Sequence, residues 1–492
     1  MVTKNRFRMI DGTSVNVRDF GAVGDGIADD TAAIQAAFDY CYAQGQVDKE
    51  VQNLTIPDGK YRISSQITHR AFIQATHVGV LQPDAGNWDG SANIYEIYDD
   101  YQDKYDNGNA TYVETQKTAI LGVLRIDGDS VPAIGLNCLK GAGIIIQGVQ
   151  IHGAQRGGIF IRSGYEWKVS NWNVTAPKDA DDGAQGMYIN TSDCMISKGA
   201  SIFYSSGLVL DSSATANVIM DVHNWGWTSA DLGGTVGRMW RGFEVHGGFN
   251  QFIGCYADST SKRVAGSPPS PSNGGIAFWV TGFDNGFVGC KFLSHPVEGT
   301  HYGCGWWLNV ANTSLTNCDY TNYAGVAPDY SIYLDTNADL ATTYITGGNI
   351  GQFWLWDTQR QLTDNHGDIV WASRVAKYTV NDGVISGSIL MDGTVNSTTG
   401  DYATDWEITL PSNVFGVANG SGRVNQIYPF RNALSSVTNP MQLDFSINNE
   451  SGKFRMSTVT GGTQNVKTGD LPTGSLYLQI DFQAILDTRF VV

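Results

Sequence analysis

Two interleaved series of short strands recur through the middle of the chain, and this repetition limits the fold more than any other feature. The first series runs through Ile145–Ile151, Lys168–Val174, Val218–His223, Gln251–Tyr256, Gly286–Lys291 and Ser314–Asp319. The second runs through Gly158–Ser163, Gly186–Thr191, Gly207–Ser212, Gly242–Gly247, Ala277–Gly282, Gly305–Val310 and Ser331–Thr336. A strand–loop–strand unit that returns at this period cannot bury its apolar face alone, so successive units must stack into a solenoid. Cys255, Cys290 and Cys318 fall at one position of the first series, separated by 35 and 28 residues. Such a column of small apolar thiols suits a stacked core.

Side chains alternate across a strand, so one set of the second series turns inward and the other outward. With Ile159, Ile161 and their equivalents inside, two outward columns are expected. One is Phe160, Tyr188, Val209, Glu244, Trp279, Trp307, Tyr333; the other is Arg162, Asn190, Asp211, His246, Thr281, Asn309, Asp335. A third column, His223, Tyr256 and Lys291, comes from the first series. The repeat stops near Thr363, after which alternating strands with Gly, Asn and Ser turns read as a β-sandwich-like region.

Composition fits a large all-β protein. The chain has 492 residues, 58 of them Gly, and a net charge of −17, which disfavours nucleic acid and anionic membrane surfaces as partners. No apolar stretch is long enough to insert into a membrane, and the N-terminus lacks a signal-peptide pattern. The seven cysteines carry no metal-ligand spacing, so no metal or other cofactor is expected, and they read as reduced. Folding in a reducing cytosol, or export without a cleaved signal, follows.

Near the N-terminus, Val15–Gln44 (VNVRDFGAVGDGIADDTAAIQAAFDYCYAQ) reads as a strand, a Gly/Asp turn and a helix. Asp29 or Asp30 sits at the N-cap, and Ile34, Ala37, Phe38 and Tyr42 form the apolar stripe. Leu54–Ile63 (LTIPDGKYRI) then gives two strands about a Pro-Asp-Gly turn. These two segments resemble the entry of the pectate-lyase-like right-handed parallel β-helices of bacteriophage tailspikes. The resemblance implies a single-stranded right-handed parallel β-helix with an N-terminal capping helix and a C-terminal β-sandwich-like domain. Expected boundaries are 1–50 for the cap, 51–362 for the β-helix with a glycan groove, and 363–492 for a C-terminal domain serving trimerisation or carbohydrate binding.

Aromatic rings flanked by Asn, Asp, His, Thr and Arg suit an extended glycan, with Trp279, Trp307, Tyr188 and Tyr333 as stacking surfaces and Arg162, Asn190 and Asn309 as polar contacts. A neighbouring subunit covering the rings is the alternative. Glu244 is the one acidic member of the aromatic column; Asp211 lies one rung earlier in the neighbouring column, and His246 follows on the same strand. At about 4.8 Å between rungs, the diagonal Glu244–Asp211 separation is roughly 7–8 Å, within the range of inverting glycosidases. Glu244 against aromatic walls is then expected as general acid, and Asp211 as general base. Loops from Trp225 to Arg241 (Asp231, Arg238) and from Ser259 to Gly274 (Lys262, Arg263) would wall the cleft.

The leading expectation is a phage tailspike depolymerase that endo-hydrolyses a bacterial surface polysaccharide. A polysaccharide lyase acting by β-elimination on a uronate polymer is the runner-up, with His223, Tyr256, Lys291, Arg241 and His246 as candidates. A non-catalytic adhesin is the third. The resemblance further implies a homotrimer, other phage tail proteins as partners, assembly in the host cytoplasm, and a place on the virion acting outside the bacterial cell. The chain begins almost at the entry segment, so a virion-anchoring head is expected to be missing from it.

Overall fold

The computed structural model describes residues 14–48, 50–99, 118–226, 239–258, 260, 269–294, 303–310, 312–322 and 330–335, with strands beyond these as far as residue 486. The chain divides into two compact units, 1–278 with 295–300, and 279–294 with 301–492.

In the first unit, parallel strands stack rung on rung as a right-handed parallel β-helix. One sheet takes Ile67–Arg70, Tyr95–Tyr98, Ile134–Lys140, Gly157–Ile161, Gln185–Ile189, Ser206–Leu210 and Arg241–Val245 in chain order. The facing sheet takes Leu124–Val131, Val149–Ala154, Lys168–Thr175, Met195–Ile202, Val218–Trp225 and Tyr256–Asp258. Ile159, Met187, Leu208 and Phe243 lie in register and are fully buried, as are Ile161, Ile189, Leu210 and Val245. Each contributes on the order of 1.5–3 kcal/mol of apolar burial.

The corners of the coil are built from local chemistry. Asn171, Lys198, Asp221 and Gly254 all take the left-handed conformation at one turn of successive rungs, which bends the strand there. Beyond the bend, the Cys255 thiol donates to the Ile219 carbonyl of the rung before. All seven cysteines are buried, with no disulfide among the described residues. A second corner is held by buried asparagines: Asn217 donates to the Thr191 carbonyl and accepts from the Cys194 amide, while Asn250 donates to the Ala214 carbonyl and accepts from the Asn217 amide. At Gly207 a Cβ would meet Asn224 Cγ at 2.4 Å, so glycine is needed where the two sheets approach.

The helix Thr31–Asp48 packs on Gln52–Ile56 and Ile67–Arg70, burying Ile34, Ala37, Phe38 and Cys41. Asp29 caps it by accepting from the Thr31 amide, whereas Asp30 accepts from Val23 and Gly24 and ties the preceding turn. Tyr42 is half-buried beneath the Arg70 guanidinium. Among the described residues no helix is long and apolar enough to cross a membrane.

In the second unit, Cys304–Leu308 pairs with Tyr330–Leu334, and Lys291–Ser294 with Asp319–Asn322, both parallel. Strands between Phe353 and Leu486 are antiparallel, centred on Gly474–Leu486, which lies between Val384–Val395 and Ala418–Tyr428.

Candidate active site

The outward register of the first unit is the expected one. Asn137, Phe160, Tyr188, Val209 and Glu244 are consecutive partners across five rungs. The next column follows by backbone bonds: the amides of Arg162, Asn190, Asp211 and His246 donate to Cys138, Ile161, Ile189 and Leu210 of the rung before. In the second unit Trp307 partners Tyr333, with Asn309 and Asp335 following in the same way.

The rings are not open to solvent as expected. Phe160 is 9% exposed, Val209 3% and Trp307 7%. Rung spacing explains this correction: neighbours about 4.8 Å apart lie at ring-contact distance, so large side chains cover one another. Phe160 meets Tyr188 at 5.3 Å between centroids and carries the Arg162 guanidinium at 5.0 Å, while Trp307 stacks on Tyr333 at 3.7 Å and donates its indole N–H to Asp335. Tyr188, Trp279 and Tyr333 are half-buried.

What the rungs bring together is a polar cluster around Glu244, itself 6% exposed. Glu244 Oε1 accepts from the Ser206 hydroxyl and from Arg241 Nη1 at 3.0 Å, and Oε2 lies 3.3 Å from His246 Nε2. Arg241 also donates to the Pro271 carbonyl. Burial opposes the charge of Glu244, but the His246 hydrogen bond, the Arg241 charge and the Ser206 hydroxyl outweigh it and hold the carboxyl below its ordinary range. The expected general-acid role needs a raised carboxyl, and these contacts push Glu244 the other way, toward its charged form. Asp211 is held low by the Tyr188 hydroxyl, with Ser212 and the nearby His246 adding to the effect. Tyr188 in turn is pushed up to about 12 by burial and by Asp211.

A chain of contacts continues along the same face. Arg162 Nε donates to Asn137 Oδ1 at 2.8 Å, and Asn137 donates to Glu96 at 2.9 Å. Asn190 accepts from Ser213. Ser206 and Arg241, register partners at the starts of their strands, complete the Glu244 clamp. Sequence reasoning missed Ser206; its signal was its place just before Gly207, matching Arg241 before Gly242.

His223 and Tyr256 stand apart, on the other sheet. His223 stacks on Tyr256 at 4.8 Å and lies 3.2 Å from Asp258, beside Trp225. Lys291, in the second unit, is 3.9 Å from Asp319. His223 and Tyr256 are therefore not joined to the Glu244 cluster, and of the first-unit lyase candidates only Arg241 and His246 are. Asp231, Arg238, Lys262 and Arg263 lie outside the described residues.

Residues 14–238 match the family described as rhamnogalacturonase A/epimerase, pectate lyase-like. Mannuronan C5-epimerase AlgE5 of Azotobacter vinelandii is 55% identical over 49 residues, 10% of this chain and 4% of that protein. Alginate lyase 7 of the same organism is 32% identical over 118 residues, 23% of this chain and 12% of that protein. The chain thus spans a small part of the length of these curated relatives. Among solved structures, ORF18 of Geobacillus virus E2 aligns with a TM-score of 0.50 at 15% identity, covering 92% of this chain and 86% of that one.

Proposed function

With a pectate-lyase-like parallel β-helix as the premise, we propose that this chain binds an extended bacterial surface polysaccharide along the face bearing Asn137, Tyr188, Asp211 and His246, and cleaves it internally. The observation that carries this reading is the convergence of Asp211, His246 and Glu244 on adjacent rungs. In a hydrolytic cycle, ionised and half-buried Asp211 takes a proton from water. His246, whose side chain is 25% exposed, carries the proton for the leaving oxygen. Glu244 keeps its charge, fixes the ring through Nε2 and stabilises the imidazolium, as a buried carboxylate does beside a catalytic histidine.

A second reading is favoured by the same Glu244–His246 pair: a carboxylate-oriented imidazole is also an arrangement for proton abstraction, hence β-elimination from a uronate. The relatives named for alginate and mannuronan support it. Incubating the protein with a panel of capsular and O-antigen polysaccharides decides between them. Falling molar mass with new ultraviolet absorbance indicates elimination, and falling molar mass without it indicates hydrolysis. Unchanged mass of a polymer that nevertheless binds would leave an adhesin instead.

The tailspike setting is also proposed: a homotrimer on a phage virion, with residues 1–50 as cap, 51–362 as the glycan-binding solenoid and 363–492 as the trimerising part. Sedimentation of a stable monomer at micromolar concentration would contradict the trimer.

A further inference from the structure

The guanidinium of Arg162 is held in place by neutral partners. Its Nε donates to Asn137 Oδ1 at 2.8 Å, and its central carbon lies over the Phe160 ring, 5.0 Å from the centroid. The Asn137 amide is itself oriented, since its Nδ2 donates to Glu96 at 2.9 Å and so turns Oδ1 toward Arg162. Among the described residues neither Nη group of Arg162 has an ion-pair partner. Other arginines of this unit are engaged: Arg241 by Glu244 and the Pro271 carbonyl, Arg62 by Asp84, Arg18 by the Asp58 carbonyl and Arg125 by Gln150 and the Val78 carbonyl.

An arginine fixed at Nε and resting over an aromatic ring, with both Nη groups left over, presents a planar two-pronged donor. The acceptor that fits such a fork is a planar oxyanion bound through two parallel N–H···O bonds. Arg162 stands in the same column as Asp211 and His246, two rungs from the former, or about 9.6 Å along the stack. It is thus on the face proposed to hold the glycan and too far away to act on the bond that is cut.

We propose that Arg162 reads a carboxylate on a sugar remote from the cleavage point, so that the polysaccharide taken by this face carries uronate groups. Asn137 and Glu96 are positioning residues for it. The inference rests on the glycan-face reading above and specifies its substrate class.

The test is equilibrium binding, with turnover silenced by His246→Ala in the full chain. The probes are hexamers of galacturonate, mannuronate and glucuronate, each as free acid and as methyl ester, titrated calorimetrically. At least one free acid is expected to bind tenfold or more tightly than its ester. Arg162→Gln is expected to erase that difference and Arg162→Lys to restore part of it. Asn137→Ala, which loosens the fork without removing charge, is expected to shrink the difference, and it stands in if Arg162→Gln does not fold. Equal binding of acid and ester, a preference untouched by Arg162→Gln, or binding of no free acid would each overturn the proposal. A free sulfate or phosphate ion competing as well as the hexamer would overturn the carboxylate assignment. Because no step depends on cleavage, a protein that shortens polysaccharides yet shows no acid preference would refute Arg162 alone, and acid-selective binding without cleavage would refute the depolymerase alone.

Discussion

Lowering the pH from 7 to 5 strains two histidines sealed beneath the N-terminal helix. His69 hydrogen-bonds the Ile73 carbonyl through Nε2 and the Tyr95 hydroxyl through Nδ1, and His77 reaches the same hydroxyl at 3.3 Å. Phe38 packs 5.2 Å from His69, which is fully buried. Burial lowers His69 from 6.5 to about 4, and burial with the neighbouring His69 lowers His77 to about 3. Both rings stay neutral when folded and charge when unfolded, so their stabilising contribution is complete above about pH 6.5 and is lost as pH falls toward the folded values. At pH 5 the gap of about 1.5 pH units below the unfolded value amounts to about 2 kcal/mol per histidine, or about 4 kcal/mol for the pair. The carboxylates held low in the fold do not titrate appreciably in this window. The assay is urea unfolding of wild type and His77→Gln at both pH values. His77→Gln should be costly at pH 7 and less so at pH 5, the two costs differing by about 2 kcal/mol. Equal costs at the two pH values would refute the burial argument.

Other expectations concern the site and the corners. Arg241→Met leaves Glu244 buried with less compensation and should destabilise by up to about 3–5 kcal/mol, whereas Arg241→Met with Glu244→Gln should recover much of that loss in thermal unfolding. Asn250→Ala removes both the acceptor for the Asn217 amide and the donor to the Ala214 carbonyl, and should cost roughly 2–4 kcal/mol by denaturant titration. Glu244→Gln and Asp211→Asn should each abolish chain shortening while circular dichroism stays unchanged; retained cleavage in both would remove these residues from the reaction.

Much of the solenoid was readable because alternation and turn chemistry act locally. Ile159 and Ile161 marked the inner face, Cys255 marked a core column, and the Phe160–Tyr188–Val209–Glu244 register followed from stacking like on like. The rung Met195–Ile202 escaped because Ser197, Gly199 and Ala200 give no apolar run; its Gly199 is small since the Trp172 ring fills that space, within 1.9 Å of where a Cβ would be. Alternation says which way Phe160 and Trp307 turn, but what covers them depends on neighbouring rungs. What surrounds the Glu244 carboxyl depends on neighbouring rungs in the same way. Its aromatic neighbours are visible in the strand alignment, while Ser206 and Arg241 reach it from strand starts, and nothing in the strand alignment pairs either of them with Glu244.

A crystal structure of the protein with a bound oligosaccharide, grown from a polymer it shortens, bears on the central claim most directly. The account requires sugar hydroxyls within hydrogen-bond distance of Asp211 and His246. A sugar seated instead against His223, Trp225 and Tyr256 on the other sheet would contradict it.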